Sequence, residues 1–170
     1  MSIKWIGAVL IIVGCGAVGF SMAFAHRREE AALRQLIGAL DYMGCELQYH
    51  LTPLPLLCRN AADQCSGPVS QTLRCLSAEL EAQIAPDAES CMEAAVAKTA
   101  SLPKHAQASM RALGSSLGKF DLHGQIIGLD AVRNQCRKDL DALTKDRDVR
   151  LRNYQTLGLC SGTALALLLF

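Results

Sequence analysis

The sequence predicts an all-α protein, a bundle of about six helices between two membrane-spanning ends. Three observations carry this prediction. Apolar residues recur at three- and four-residue steps through most of the chain, which is the period of an α-helix. No segment alternates convincingly like a strand. Aromatic residues make up only 5% of the 170 residues, while alanine and leucine, both strong helix formers, are abundant.

The charged residues are unevenly placed along the chain. Of 33 charged side chains only Lys4 lies outside Arg27–Arg152, and this middle region holds 16 positive and 16 negative groups. A net charge of +1 gives no general attraction for nucleic acid, and no such partner is expected. We assign residues 1–26 to an N-terminal transmembrane helix, 27–153 to a cytoplasmic helical bundle and 154–170 to a C-terminal transmembrane helix.

The N-terminal apolar run covers Ile6–Ala25, 20 residues without a charge. As a helix it is about 30 Å long, which matches the hydrocarbon core of a bilayer. A cleaved signal peptide is the alternative, because Ala23-Phe24-Ala25 fits an A-x-A cleavage pattern with Lys4 as the basic start. A retained anchor is favoured, since the run exceeds the usual apolar region of a signal peptide, about 7–15 residues.

The C-terminal apolar run covers 17 residues when it is counted from Tyr154. Its helical length of about 25 Å is near the lower limit for a membrane span. The alternative is a hydrophobic tail buried on a soluble core. A membrane span is favoured because no charge interrupts this run, and because the N-terminal run is likewise apolar and uncharged.

Basic residues flank both runs on the side of the middle region, and Lys4 is the one fixed side-chain charge beyond them. The flanking residues are Arg27, Arg28, Arg34, Lys145, Arg147, Arg150 and Arg152. The positive-inside rule therefore predicts a cytoplasmic middle region with both termini outside.

Small residues recur at four-residue spacing in both predicted spans. They are Cys15, Gly19, Ala23, Gly158, Gly162 and Ala166. Such stripes let helix backbones approach closely in lipid, so helix contacts through them are predicted. The alternative is that glycine is simply common in membrane helices.

The first element of the middle region is a helix over residues 27–50. Its apolar stripe is Leu33, Leu36, Ile37, Leu40, Met43 and Leu47. Thr52 is then expected as an N-cap and Pro53 as the first residue of a short helix that ends near Gln64. Ser66-Gly67-Pro68 predicts a break after it.

The third and fourth helices of the middle region follow this break. One is predicted near Val69–Gln83, with leucines on one face, before the break at Ala85-Pro86-Asp87. Asp87 is expected to cap the next helix, which contains Met92, and Ser101-Leu102-Pro103 ends it.

The last two elements are a helix over Lys104–Lys119 and one long helix from about Asp121 into the membrane at Tyr154. Gly114 and Gly118 are interpreted as positions of close helix packing, with Gly118 near the end of its helix. Asp121 is the expected cap of the long helix.

Signals for chemistry are weak. Glu46 and His50 share a helix face, but no second such pair completes a two-metal bundle site, and the sequence contains no H-E-x-x-H, phosphate-loop or G-x-S-x-G motif. No catalytic residue, metal or cofactor is therefore expected. A membrane-bound enzyme with a metal on Glu46, His50 and cysteines stays open as an alternative.

Eight cysteines are widely spaced, and no C-x-x-C pair typical of zinc sites occurs. We expect buried or half-buried thiols in a reducing compartment, with a disulfide or metal role as the alternative. The alternating charges of Lys138–Arg152 are typical of a solvated helix face. The alternative there is a docking surface formed by Lys145, Arg147, Arg150 and Arg152.

Motifs along nearly the whole chain resemble the stage III sporulation protein AB family of endospore-forming bacteria. The motifs are Ile6-Gly7-Ala8, Leu33-Arg34-Gln35-Leu36, Leu40, Glu46, Thr52-Pro53-Leu54, Leu113-Gly114, Leu117-Gly118, Asp121, Gln125, and Leu157-Gly158 with the final leucine run. Each motif is weak alone, and their order and spacing make the match specific. The eight cysteines depart from the family pattern.

The resemblance implies a fold like the cytoplasmic domain of the type II secretion F protein. It implies a non-enzymatic platform in the channel complex between mother cell and forespore, in the mother-cell membrane around the forespore. The implied partners are a cytoplasmic secretion-type ATPase (stage III sporulation protein AA-like), other membrane subunits and the lipid bilayer, with self-association as an open alternative. The competing hypothesis is an extracytoplasmic helical binding protein with a C-terminal anchor.

Overall fold

The structure is a computed structural model that describes the backbone of residues 2–50, 52–83, 85–118 and 121–169. Side chains are described over 24–50, 52–83, 85–118 and 121–145. Six helices and no strand occur in these ranges, which confirms the all-α prediction. The helices are α1 (Ser2–Tyr49), α2 (Leu54–Asp63), α3 (Gly67–Ala82), α4 (Ala88–Lys98), α5 (Lys104–Ser116) and α6 (Leu122–Leu169).

The chain divides into two compact units. One unit comprises Met1–Arg28 and Ala142–Phe170, the outer parts of α1 and α6. The other comprises Glu29–Asp141, a bundle built from the remainder of α1 and α6 together with the four short helices. Within this bundle unit α2 packs on α3, α3 on α4, and α4 on α5.

The core of the bundle unit contains the predicted stripe of α1, in which Ile37 is only half-buried, together with apolar residues of the other helices. Its large and fully buried side chains are Leu33, Leu36, Leu40, Met43, Leu57, Val69, Leu73, Leu76, Met92, Met110, Leu113 and Leu117. From α6, Leu129, Val132 and Cys136 are also buried. Burial of this apolar area is the main stabilising contribution, at roughly 25 cal/mol per Å² removed from water.

Two of the predicted helix caps are confirmed. The Asp87 carboxylate accepts a 3.1 Å hydrogen bond from the backbone N–H of Ser90 at the start of α4. The Asp121 carboxylate accepts one of 3.0 Å from the N–H of Gly124 at the start of α6. Each aspartate satisfies a backbone donor that has no partner inside its helix.

The predicted start of α2 is wrong. Pro53 is the N-cap and not the first helical residue, and no side chain caps this helix. The Thr52 hydroxyl instead donates to the Glu46 carboxylate at 2.8 Å. Thr52 therefore joins the end of α1 to the start of α2. Its hydroxyl bonds to the charged Glu46 carboxylate and does not cap α2, because hydrogen bonds to a charged acceptor are the stronger ones.

The end of α5 also differs from the prediction, since the helix ends at Ser116 and not at Lys119. Gly118 has a φ of +75°, in the left-handed region that favours glycine. A Cβ on Gly118 would meet only Ala88 Cβ, at 3.7 Å, so close packing is not its role. Gly118 turns the chain between α5 and α6.

Among the residues with described side chains, no helix offers a stretch long and apolar enough to cross a membrane. The two predicted spans, within 1–26 and 154–170, lie outside those residues except at 24–26.

Candidate functional site

The corner between α1 and α2 is organised around Glu46, a residue of the family motif. Its carboxylate accepts hydrogen bonds from the Tyr42 hydroxyl at 3.0 Å and from the Thr52 hydroxyl at 2.8 Å. The His50 Nδ1 atom lies 3.6 Å from the same carboxylate. The corner is therefore fixed by one carboxylate that accepts hydrogen bonds from α1 and from the segment between α1 and α2.

The hydrogen bonds at this corner shift two pKa values. The bonds from Thr52 and then Tyr42 lower the pKa of Glu46, because they stabilise its charged form. Partial burial and the bond to Glu46 raise the pKa of Tyr42. Glu46 is thus an ionised acceptor at neutral pH, and Tyr42 is a neutral donor.

Gln35 joins α1 to the turn between α2 and α3. Its backbone carbonyl accepts from the Cys65 thiol at 3.4 Å, and its side-chain carbonyl accepts from the Ser66 N–H at 3.2 Å. Its neighbour Arg34 pairs with Glu30 at 2.8 Å on the exposed face of α1. Within the Leu33-Arg34-Gln35-Leu36 motif, the two leucines are buried and Gln35 makes the contact between elements.

Gly114 is a point of close approach between α4 and α5. A Cβ on Gly114 would lie 2.5 Å from Met92 Cβ and 3.4 Å from Glu89 Cα. Gly114 lies near the end of α5 and Met92 in the first half of α4, so the two helices form an antiparallel hairpin. Leu113 and Leu117, which flank this glycine in the motif, are fully buried.

A second close approach, at Gly128 of α6, was not predicted. A Cβ there would lie 2.8 Å from Ser116 Cβ and 3.1 Å from its hydroxyl. The four-residue spacing of Gly124 and Gly128 was an available signal. Gln125, the motif residue between them, is half-buried on the first turn of α6, and its N–H donates to the Asp121 carbonyl at 2.9 Å.

Polar contacts between distant segments were also missed, among them those of Arg133 and of Glu29. Arg133 of α6 pairs with Asp41 of α1 and with Asp130, both at 2.8 Å. Glu29 of α1 accepts from the N–H of His105 at 3.2 Å and contacts its Nδ1 at 2.6 Å, at the start of α5. Glu29 thereby supplies the acceptor that Pro103, the N-cap of α5, lacks.

The six cysteines in the described ranges are all free. Cys58, Cys91 and Cys136 are buried and Cys65 and Cys75 are half-buried, as predicted, whereas the prediction is wrong for the exposed Cys45. Burial raises the pKa of the Cys58 thiol to about 12 and also raises the pKa values of Cys65, Cys91 and Cys136. These thiols are therefore protonated and unreactive at neutral pH.

Within the described part of the chain, no three histidine, cysteine, aspartate or glutamate side chains lie close enough together to hold a metal ion. Glu46 and His50, the pair considered for a metal, lie at the hydrogen-bonded corner described above. Cys15, Gly19, Gly158, Gly162 and the other small residues of the predicted span stripes lie outside the described side chains. Of the basic docking residues, Lys145 is described and exposed.

A sequence model of the family described as stage III sporulation protein AB matches residues 4–170. The chain belongs to this family. Stage III sporulation protein AB of Bacillus subtilis (strain 168) is 31% identical over 122 residues, which cover 70% of this chain and 71% of the relative. The predicted family resemblance is thus confirmed, and the family places this chain among sporulation proteins.

A solved structure of a stage III sporulation protein AB shares the fold. The TM-score is 0.64 at 22% sequence identity, and the match covers 72% of this chain and 98% of that chain. The helical bundle is therefore an architecture that this family adopts. The likeness to the type II secretion F protein is implied by the family resemblance and stays a prediction.

Proposed function

We propose that this sporulation protein is a non-enzymatic assembly platform, embedded in the mother-cell membrane around the forespore by two spans. The platform would belong to a channel or secretion-like complex that endospore formation requires. Membership of the stage III sporulation protein AB family supports the sporulation role. The bundle fold supports a scaffold, because its polar contacts join α1 to the segments that precede α2 and α3 and to α6.

The observation that carries the proposal is the division of the two longest helices. The bundle unit takes only Glu29 onward from α1 and only residues up to Asp141 from α6. The outer parts of both helices include the two uncharged runs of the sequence. A bundle whose first and last helices each continue into an apolar run has the organisation of a domain with two membrane anchors.

The free thiols and the flanking basic residues favour a cytoplasmic bundle. There the bundle would meet a secretion-type ATPase (stage III sporulation protein AA-like) and the cytoplasmic parts of other membrane subunits. The basic residues Lys145, Arg147, Arg150 and Arg152 are the proposed docking face for such a partner.

A second candidate is an extracytoplasmic helical protein with a C-terminal anchor. Ala23-Phe24-Ala25 favours it, because this tripeptide fits a signal-peptidase site and Phe24 is 58% exposed. The two candidates differ in one measurable property, which is whether the first 25 residues remain on the mature chain.

The platform role is tested by complementation and by affinity capture. In the source organism, we expect deletion of the gene to abolish heat-resistant spores and the full chain to restore them. Chains that lack 2–25 or 154–170 should fail although their bundle is intact. The full chain in nanodiscs should capture the ATPase, and reversal of the four basic docking residues to glutamate should abolish capture.

Two results would contradict the platform proposal. One is normal sporulation in cells whose only copy of the chain lacks residues 2–25 or lacks residues 154–170. The other is mature protein that begins after Ala25, which would favour the extracytoplasmic candidate and remove the ATPase from reach.

A further inference from the structure

The α4–α5 hairpin carries opposite charges on its two helices. Helix α4 carries two acids, Glu89 and Glu93, and ends at Lys98, which pairs with Glu79 of α3. Helix α5 carries Lys104 and Arg111 and no acid. Apart from Lys98, the hairpin therefore presents an acidic helix beside a basic one.

Around Glu93 and Arg111, the exposed positions of the hairpin include several small side chains. Glu93 and Ala97 are exposed on α4, and Ala108, Arg111 and Ala112 are exposed on α5. Neither Glu93 nor Arg111 has an ion-pair partner within the described ranges. This face thus offers an exposed acid, Glu93, and two exposed bases, Arg111 and Lys104, which lies seven residues before Arg111 on the same side of α5. The alanines between these charges let another helix pair approach closely.

The register of the hairpin brings Glu93 and Arg111 to nearly the same height. Gly114 lies level with Met92, at the close contact between the two helices. Arg111 is three residues before Gly114, about 4.5 Å along the hairpin, and Glu93 is about 1.5 Å from Met92 in the same direction. The two charges therefore differ by only about 3 Å in height.

We propose that this face binds a second copy of the same chain. We place a two-fold axis parallel to the hairpin and in front of its outer face. This axis sets α4 of each copy against α5 of the other, and it leaves the position of every residue along the helix direction unchanged. Glu93 of each copy then meets Arg111 of the other, so one surface supplies both halves of two ion pairs. Such self-complementarity is what an interface between identical copies with two-fold symmetry requires.

The geometry also sets the strength of the association. Two helices of 11 and 13 residues offer less area than a standard stable interface, so the dimer is weak and dissociates on dilution. The reciprocal charges provide register and specificity more than affinity. This inference goes beyond the proposed function and does not depend on membrane insertion.

A charge-exchange experiment tests the proposed dimer. The full chain in mild detergent is examined by sedimentation velocity over a range of protein concentrations, as wild type, as Glu93→Arg and as Arg111→Glu. We expect each variant alone to weaken self-association about tenfold or more, because like charges then face each other. An equimolar mixture of the two variants should recover it, since the charges that face each other in the mixed dimer are again opposite.

Arg59→Glu is the matched control, because it makes the same charge change at an exposed position of α2. It should leave self-association unchanged. Circular dichroism checks that each variant folds, as expected for substitutions at exposed sites. A wild type that stays monomeric at all concentrations, or a mixture that associates no better than either variant, would overturn the proposal. Failure of membrane anchoring would leave this result unaffected.

Discussion

The bundle unit has two halves, the first from α1 to α3 and the second from α4 to α6, and the helices within each half contact each other in different ways. In the first half, side chains connect the elements: Glu46 binds Thr52, Gln35 binds Ser66, and the Ser77 hydroxyl donates to the Pro55 carbonyl at 2.9 Å. In the second half, two contacts between helices lie at glycines, in addition to side-chain contacts to the first half such as that of Arg133 with Asp41. Gly114 lies against Met92 and Gly128 against Ser116, with no room for a Cβ at either glycine.

The motifs of one family therefore contain residues with two different physical roles: some, like Glu46, form hydrogen bonds between elements, and others, like Gly114, allow two helices to come close together. A hydrogen bond between elements contributes about 1 kcal/mol, and its loss leaves the packing intact. A backbone contact at glycine excludes every larger residue, and added atoms must separate two helices. We therefore expect the second half to tolerate substitution much less than the first.

The largest effect is expected from Gly114→Ala. The new Cβ would lie 2.5 Å from Met92 Cβ, so α4 and α5 must separate, and we expect a loss of about 2 kcal/mol in the free energy of unfolding. Met92→Ala should not rescue it, because alanine keeps the Cβ that clashes. Urea unfolding of the full chain followed by circular dichroism measures both.

Gly38→Ala is the control for this substitution. Gly38 is exposed in α1, and a Cβ there meets nothing within 4 Å. The better helix propensity of alanine should stabilise the protein by about 0.5–1 kcal/mol. Equal effects at positions 38 and 114 would contradict the role given to Gly114.

Gly128→Ala should destabilise less, by about 1 kcal/mol. Its Cβ meets the Ser116 side chain at 2.8 Å, and Ser116 is the last residue of α5, where the helix can adjust. The double variant Gly128→Ala with Ser116→Gly should recover most of the loss in the same unfolding assay. If Ser116→Gly gives no recovery, the contact between α5 and α6 at this point is not limiting.

In the first half, Ser77→Ala should cost about 1 kcal/mol, because it removes a buried donor and leaves the Pro55 carbonyl without it. Ser115→Ala is a matched control, since Ser115 bonds within its own helix and lies near solvent. Comparison of the urea midpoints of the two variants measures the difference. A midpoint change at Ser115 as large as that at Ser77 would argue against a specific bond between α2 and α3.

The smallest effect, and the one with a defined pH dependence, is expected from Glu46→Gln. Because the folded state lowers the pKa of Glu46 below its usual value of 4.5, the ionised carboxylate stabilises the fold above that pH. This contribution is lost as the pH falls through the lowered pKa. Glu46→Gln should therefore weaken the protein at neutral pH and match wild type in acid.

Urea unfolding at neutral and acid pH tests this dependence. Glu81→Gln is the control, because Glu81 is exposed on α3. A deficit of Glu46→Gln that is the same at both pH values would show that shape, not charge, matters at the corner.

The sequence was informative where the physical cause is local. The helical stripes follow from the period of the backbone, and Asp87 and Asp121 cap helices that begin one residue later. Thr52 was misassigned because its acceptor, Glu46, lies on the preceding helix. The Thr52–Glu46 bond depends on the angle between α1 and α2, and the spacing of residues along the sequence does not reveal that angle.

Contacts between distant segments were beyond the reach of sequence pattern. Asp41 and Arg133 are 92 residues apart, and nothing in either neighbourhood selects the other from the many charges of α1 and α6. The sequence shows glycine at 114, 118 and 128, but the glycines at 114 and 128 allow close helix contact whereas that at 118 allows a left-handed backbone. The close packing at Gly114 was predicted from the sequence and is confirmed, whereas the left-handed backbone at Gly118 and the partners of Gly114 and Gly128 follow only from the packed structure.

Protease protection in oriented membrane vesicles tests the central claim, a cytoplasmic bundle between two retained membrane anchors, most directly. The full chain is exposed to protease in right-side-out and in inverted vesicles, and the size of its N-terminal fragment is measured. We expect the bundle to be cleaved only in inverted vesicles, with residues 1–25 still attached. Cleavage from the outside, or a mature chain that has lost its first 25 residues, would contradict the account.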